Sequence, residues 1–549
     1  MTPRRWLRHY PAGVPAEIDV TRYPSLVALF DESFALYRDR TAYVLAGRSM
    51  SFGDIDAMSR ALAAWLQAQG IARGDRVAIM LPNLLHYPVA VAAVLRAGAI
   101  VVNVDPLDTA RELEHRLQDS GAKAIVVLEA FAGTLAQLRE RTDLRHVVVA
   151  SPADALAAPQ APAAPDAGRT RFGEALAAGA GLPLRAVPVG PEHIAVLQYT
   201  GGITGVSKGA ALPHRAIVAS LLSSEAWLQP GLKRRPISGQ MTIVCALPLC
   251  HVFAFVGCGL LGLRTGALNI LIPNPRDLGA LIRQLEPYKL HVFPAVNTLF
   301  DGLVQHPDFA RLDFSELCVS NGGGMAVQEA VARKWLQVTG CPIVEGYGLS
   351  ETASGVTCNS CDSETFTGTI GLPMPGVDIR LLDDEGYDAA PGEPGEIAIR
   401  APQLMAGYWQ RADETAKVMV GEGYFKSGDI GVMDGRGCLK IVDRKKDMIL
   451  VCGCNVYPTE IEGVVAGHPK VLECAAFGVP DAGSGEAVKL AVVRRDDSLD
   501  EAELRAFCQA RLTGCKRPRF IEFRAELPKS NVGKILRREL RDAGRAGAA

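Results

Sequence analysis

The sequence predicts an α/β protein. A large N-terminal domain of several α/β subdomains spans residues 1–442, and a small α+β domain spans residues 443–549. Three observations predict this. Strand and helix periodicities alternate from residue 25 to 150, then again from Ile194 to about residue 400, the mark of layered sheets with parallel pairing. The chain has 549 residues, more than one domain's worth at roughly 150 residues per domain. Composition changes near Ile441, where IVDRKKDMI puts five charges into nine residues after a turn-rich run over 433–438.

The elements follow in order. Ala57–Gln69 has the spacing of an amphipathic helix, and Arg76–Leu81 reads as a short buried strand. Pro88–Ala97 is helical, and Ile100–Val104 and Ala124–Leu128 are strands rich in β-branched residues. Ser151–Gly168 is Ala/Pro-rich, with four prolines and no hydrophobic period, and is expected to be a surface loop or linker. Ile194–Gln198 is a strand. Beyond residue 442, Glu460–Ala466 and Glu501–Leu512 read as helices and Ala475–Val479 and Val488–Val493 as strands. No internal repeat is present.

The bulk numbers exclude several classes. Hydrophobic residues make up 48% and charged residues 21%, as in ordinary globular proteins, and a net charge of −2 gives no reason to expect a nucleic-acid partner. The basic N-terminus MTPRRWLRHYPAG has no apolar run after it, so it lacks a signal-peptide core. The longest uncharged apolar stretch, Val252–Leu263, has twelve residues, short of the roughly 20 that a spanning helix needs. It is expected to be a buried core element. The thirteen cysteines have no framework spacing, so reduced thiols in the cytoplasm are expected. Cys358/Cys361 and Cys452/Cys454 form CxxC and CxC pairs. No second ligand pair accompanies them, so they are expected to be free, partly buried thiols.

Four motifs carry chemistry. Tyr199-Thr-Gly-Gly-Ile-Thr-Gly-Val-Ser-Lys-Gly209 follows the 194–198 strand. Its glycines Gly201, Gly202 and Gly205 allow backbone N–H groups to wrap phosphates, Thr200 and Thr204 add hydroxyl donors, and Lys208 adds charge. It is not a Walker A loop, because Ser207 stands where the last glycine belongs and Gly209 where Ser or Thr belongs. A plain Gly-rich turn is the alternative. In Glu345-Gly-Tyr-Gly-Leu-Ser-Glu-Thr352, Gly346 and Gly348 flank Tyr347, a flat ring suited to stacking, and Glu351 is either a Mg²⁺ ligand or a solvated loop residue. In Tyr424-Phe-Lys-Ser-Gly-Asp-Ile430, Asp429 is either a ribose acceptor or part of an Asx turn. Pro528-Lys-Ser-Asn-Val-Gly-Lys-Ile-Leu-Arg537 puts Lys534 on a loop entering a helix, and locally it reads equally as a surface charge.

Taken together, in this order and spacing, the four motifs resemble the adenylate-forming superfamily of acyl-CoA synthetases, luciferases and peptide-synthetase adenylation domains. The resemblance covers nearly the whole chain and is strongest to bacterial long-chain fatty acid–CoA ligases. It extends to Met80-Leu-Pro-Asn, Val101-Val-Asn-Val-Asp-Pro, Pro248-Leu-Cys-His-Val-Phe253, Val296-Asn-Thr-Leu-Phe300, Ser320-Asn-Gly-Gly-Gly-Met325 and Val442-Asp-Arg-Lys-Lys-Asp-Met-Ile449.

The resemblance implies the adenylate-forming fold and a two-step reaction using ATP, Mg²⁺ and coenzyme A on a medium- or long-chain fatty acid. It implies that the 199–209 loop holds the triphosphate and that Tyr347 stacks near adenine, with Gly322, Gly323 and Gly324 lining the other side. Asp429 and Arg444 would contact the ribose, and Glu351 and Thr200 would hold Mg²⁺. Lys534 would reach the carboxylate and α-phosphate, and Lys534, Glu351 and Thr204 form the implied catalytic set. Lys446 would lie at the hinge between the domains, and Gly453 would let the pantetheine arm pass close to backbone. His251, Phe253 and Asn297 would bind the acyl substrate, although a core histidine and plain core packing remain alternatives. The implied setting is the cytoplasm, as a monomer or homodimer, with at most weak peripheral contact at the inner face of the membrane.

Three departures from that pattern stand out: Ile203 in place of a threonine, Cys250 in place of a tyrosine before His251, and the Ala/Pro stretch where relatives carry a longer basic insertion. The same chemistry on an aryl or shorter acid, a carrier-protein acceptor, and a non-catalytic nucleotide-binding protein are the competing readings.

Overall fold

The computed structural model describes residues 4–154, 169–200, 207–451, 454–481, 484–529 and 535–546. Two large sheets dominate the first four hundred residues. In one, the central strands Ile194–Tyr199, Ile100–Asn103, Arg76–Met80, Ala122–Leu128 and His146–Ala150 lie side by side in parallel. Their Val- and Ile-rich runs are buried on both faces, as a parallel sheet covered by helices requires. In the other, Leu268–Leu271, Thr242–Cys245, Val292–Ala295, Val319–Gly322 and Ile343–Leu349 run in parallel, and Ser354–Cys358 turns back antiparallel at one side.

The first sheet ends in a hairpin. Gly209–Pro213 folds back on Ile194–Tyr199 with Tyr199 opposite Gly209, and the two-residue strand Gly407–Tyr408 joins its far side. A third, antiparallel sheet places Tyr424–Met433 between Gly395–Arg400 and Leu439–Arg444.

The expected elements are present, with boundaries shifted by a few residues. The helix expected from Ala57 begins at Phe52, because Ser51 and Asp54 form a reciprocal cap: Asp54 N–H donates to Ser51 Oγ at 3.0 Å, and Ser51 N–H to Asp54 Oδ2 at 2.9 Å. The apolar stretch from Val252 is a buried core helix, as expected. It contains a π-helical turn over Phe255–Leu260, a local irregularity frequent at functional sites. Among the described residues, no helix is long and apolar enough to cross a membrane. The Ala/Pro stretch lies almost wholly outside the described residues.

Beyond Ile449 a separate small sheet forms, with Gly485–Arg494 between Ile449–Val451 and Val471–Asp481 on one path and Phe520–Arg524 paired in parallel with it. Strand alternation divides its core in two. Cys474, Ala476, Val488 and Leu490 face the helices Pro458–Ala466 and Glu501–Arg511, while Ala475, Phe477 and Ala491 face Leu527 and Leu540. Neither cluster joins the core of the large sheets.

Candidate active site

The glycine-rich loop leaves a hairpin whose base is tied shut. Thr200 N–H donates to the Lys208 carbonyl at 3.0 Å, and Ser207 Oγ donates to the Thr200 carbonyl at 2.5 Å. Gly201, Gly202, Thr204 and Gly205 lie outside the described residues. Lys208 forms an ion pair with Glu414, and its Nζ sits 5.1 Å from the centroid of the Tyr408 ring. Tyr199, expected at the nucleotide, is instead a support beneath the hairpin. Its buried hydroxyl donates to Asp119 at 2.8 Å, and Gly209 leaves room for its ring, since a Cβ there would lie 3.2 Å from it.

Glu351 follows the Ile343–Leu349 strand on a single 3-10 turn, Ser350–Thr352. Gly348 is required there, because a Cβ would fall 2.0 Å from the Ser354 carbonyl oxygen of the returning strand. Glu351 is not a solvated loop residue. Its Oε1 accepts from the Tyr408 hydroxyl at 2.8 Å, and its backbone carbonyl accepts from Met405 N–H at 2.8 Å. Burial pushes its carboxyl above the ordinary range, while the Tyr408 hydroxyl opposes that rise. Tyr408 itself escaped the sequence reading. It belongs to a two-residue strand with no periodicity, and nothing in its spacing links it to a glutamate 57 positions earlier.

Tyr347, Asp429 and Arg444 converge. Asp429 and Arg444 are register partners on adjacent antiparallel strands, so Asp429 belongs to a strand and not to an Asx turn. The Tyr347 hydroxyl donates to Asp429 Oδ2 at 2.6 Å, and Arg444 Nε lies 3.3 Å from Oδ1. Asp429 is buried, so these two partners hold its charge in place. Burial, together with the Asp429 charge, pushes the Tyr347 hydroxyl well above its ordinary range and keeps it a donor.

Beside them opens a cavity of about 260 Å³, lined by His251, Phe253, Gly323, Gly324, Gly346 and Tyr347 together with Trp227, Leu228, Cys358 and Cys361. Gly323 is needed because a Cβ would approach the Phe253 ring to 2.9 Å. Gly322 sits behind this wall, where a Cβ would meet Val327 at 2.7 Å, so it serves packing and not the cavity surface. Asn297 also departs from expectation. Its Oδ1 accepts from Gln328 N–H at 2.9 Å, and the neighbouring Val296 lines the cavity instead. Where partly buried thiols were expected, Cys358 and Cys361 are buried and Cys454 is exposed; Cys452 lies outside the described residues.

His251 precedes the Val252 helix, and the segment before it is pinned by several bonds. Asn83 Nδ2 donates to the Leu247 carbonyl at 2.9 Å, Leu249 N–H donates to Asn83 Oδ1 at 2.8 Å, and Gln198 Nε2 donates to the Cys250 carbonyl at 2.9 Å. Lys446 is exposed just after the third sheet's last strand. Lys534 and Gly453 lie outside the described residues.

The similarities run the length of the chain. The AMP-binding enzyme family model matches residues 30–409, and the model of the AMP-binding enzyme C-terminal domain matches residues 460–534. The chain is 49% identical over 557 residues to a long-chain-fatty-acid–CoA ligase of Escherichia coli O157:H7, covering 98% of each chain. It is 49% identical over 554 residues to a protein of the same name from Yersinia pestis, covering 98% of this chain and 97% of that one. Among solved structures it resembles an anthranilate CoA ligase in complex with anthranoyl-AMP, with a TM-score of 0.86, 25% identity, and coverage of 97% of this chain and 100% of that one. With a family model over residues 30–409 and relatives nearly half identical along its length, this chain belongs to the AMP-binding enzyme family.

Proposed function

We propose that this enzyme joins a medium- or long-chain fatty acid to ATP, releasing pyrophosphate and forming acyl-AMP, and then transfers the acyl group to coenzyme A, giving acyl-CoA and AMP. One observation carries the reading: a partly buried carboxylate, Glu351, and the charged base of a glycine-rich loop share one tyrosine, Tyr408, near the Asp429–Tyr347–Arg444 triad and a largely apolar cavity. The near-full-length likeness to ligases named for long-chain fatty acids supports the choice of acid.

The chemistry explains the inventory. A carboxylate must attack a phosphorus already surrounded by negative oxygens, and charge grows on the departing pyrophosphate. Fixed donors and cations at that point stabilise the transition state without reorganising. Lys208 and the loop's N–H groups face the triphosphate. Asp429, its geometry fixed by Tyr347 and Arg444, accepts from ribose hydroxyls, and the Tyr347 ring lies along the base. His251 stands at the carboxylate end of the cavity, and Phe253 forms part of the acyl wall. Mg²⁺ suits this oxygen donor set: Glu351 Oε2, the oxygen that the Tyr408 hydroxyl does not engage, and the Thr200 hydroxyl would hold it, and it would neutralise phosphate charge.

The small domain, residues 443–549, brings Lys534 to the reacting carboxylate and α-phosphate. It then turns about a hinge near Lys446 so that the segment with Gly453 admits the thiol of coenzyme A. The enzyme works in the cytoplasm, with at most weak contact with a membrane surface.

The test is ATP–pyrophosphate exchange across a series of acids, fatty acids of rising length and aryl acids alike, followed by addition of coenzyme A. Exchange should require a fatty acid, and thioester should appear only with coenzyme A. Lys534→Ala should lose exchange by at least about 100-fold, the cost of about 2.7–4 kcal/mol for one well-placed donor, while largely keeping thioester formation from supplied acyl-adenylate. Exchange driven best by aryl acids, or equal loss in both halves, would overturn the reading.

A further inference from the structure

We propose that Asp105, Cys250 and His251 form a site for a borderline-soft divalent metal ion, Zn²⁺ by preference, beside the cavity that His251 lines. Metal binding goes beyond the ligase reaction and does not depend on it; the inhibitory effect rests on the proposed function.

One ligand atom from each residue (a carboxylate oxygen, a thiol sulfur and an imidazole nitrogen) lies within 4.8 Å of the other two. His251 Nε2 is 3.3 Å from Asp105 Oδ2. Around tetrahedral zinc, bond lengths of about 2.0–2.3 Å put neighbouring ligand atoms about 3.3–3.7 Å apart. One pair already meets that spacing, and the third ligand needs to close by no more than about 1.5 Å. His251 Nε2 is buried and makes no hydrogen bond, since its approach to Asp105 lacks hydrogen-bond geometry. A buried polar nitrogen left unmatched is costly, and a metal bond would satisfy it.

The ligands are held in place beforehand. Asp105 Oδ1 accepts from Leu107 N–H at 2.9 Å, and Oδ2 lies 3.3 Å from His251 Nε2. The Cys250 carbonyl accepts from Gln198, and Phe255 N–H donates to the His251 carbonyl at 2.9 Å, so the two neighbouring ligands are fixed at a helix start. Arg116, a nearby cation, is paired with Asp108 at 2.8 Å, which lowers its repulsion of an incoming ion.

Donor chemistry selects the metal. Thiolate, imidazole and carboxylate together favour zinc over Mg²⁺, which takes hard oxygen ligands. Three protein ligands leave the fourth tetrahedral position free. Of the three ligands His251 lines the cavity assigned to the fatty acid, while Asp105 and Cys250 are buried. Binding replaces the thiol proton with metal and releases the proton to solvent. Occupancy would take His251 away from its substrate, so the site is inhibitory. Cys250 is one of the chain's departures from the pattern it resembles, so the thiol ligand is a feature of this sequence.

The experiment titrates reduced, chelator-treated enzyme with Co²⁺ in the absence of nucleotide and follows the thiolate-to-cobalt charge-transfer absorption, which needs no turnover. Wild type should show the band saturating at one tight ion and lost on adding Zn²⁺. Cys250→Ala should bind that ion at least tenfold more weakly without the band. Zinc should also suppress fatty-acid-dependent pyrophosphate release in wild type at a tenfold lower concentration than in the variant. Cys250→Ser repeats the comparison with a closer shape, and circular dichroism checks that each variant is folded. X-ray absorption of the one-zinc wild type should give one sulfur neighbour. A band that persists in both folded variants, no tight ion, or zinc bound without sulfur would overturn the proposal. An inactive enzyme that still shows the Cys250-dependent band would count against the ligase reading alone.

Discussion

Replacing Tyr408 with phenylalanine removes one oxygen and leaves the ring. The ring's contact with Lys208 survives, so the variant isolates the 2.8 Å bond from the hydroxyl to Glu351 Oε1. A hydrogen bond to a charged group is worth about 1.5–3 kcal/mol, which corresponds to about 1–2 pKa units at 1.36 kcal/mol per unit. In the wild type, burial raises the Glu351 carboxyl and this hydroxyl draws it back down. Losing the donor therefore raises the pKa further. The ionised carboxylate is the form that binds a cation, so activity is lost as pH falls through that pKa. In Tyr408→Phe the acid limb should begin at higher pH, displaced by about 1–2 units. The assay is fatty-acid-dependent ATP–pyrophosphate exchange against pH at several Mg²⁺ concentrations, and the variant should also need more Mg²⁺. An unmoved acid limb together with an unchanged Mg²⁺ requirement would refute the assignment of Glu351 as the metal-holding carboxylate and Tyr408 as its support.

Three further outcomes are expected. Asp429→Asn keeps the shape but removes the charge that Tyr347 and Arg444 bracket, so the KM for ATP should rise at least tenfold with little change in the KM for fatty acid, measured by steady-state exchange. Burial pushes the Glu345 carboxyl up to about 7, with Val327 N–H opposing. Because the folded protein binds that proton more tightly than the unfolded chain, stability from this group is complete below about pH 4.5 and is lost as pH rises to about 7, a fall of about 3 kcal/mol at most. Glu345→Gln should flatten that decline and raise the melting temperature at pH 8 relative to wild type, read by calorimetry. Gly348→Ala should abolish exchange and lower the melting temperature, since its Cβ would strike backbone oxygen at 2.0 Å and no side-chain movement can relieve that clash.

The amino-acid sequence by itself determined the α/β layering, because β-branched runs and helical periods report local burial directly. It also determined the motifs around Lys208, Tyr347, Glu351 and Asp429, because phosphate and ribose chemistry calls for glycine, hydroxyl, carboxylate and amine in short local patterns. Helix starts such as Phe52 were misplaced because caps depend on side-chain-to-backbone bonds that hydrophobic spacing does not report. Tertiary structure alone decided the partners. Asp429 owes its fixed carboxylate to a strand register with Arg444 and to a tyrosine 82 residues earlier. Tyr199 and Asn297 carry plausible side chains in the right segments, yet Asp119 and Gln328 engage them, which only packing reveals. Tyr408 and the Asp105–Cys250–His251 cluster are contacts between distant segments. Periodicity is a property of neighbours along the chain, whereas electrostatics at a site depends on neighbours in space, and the fold alone brings those together.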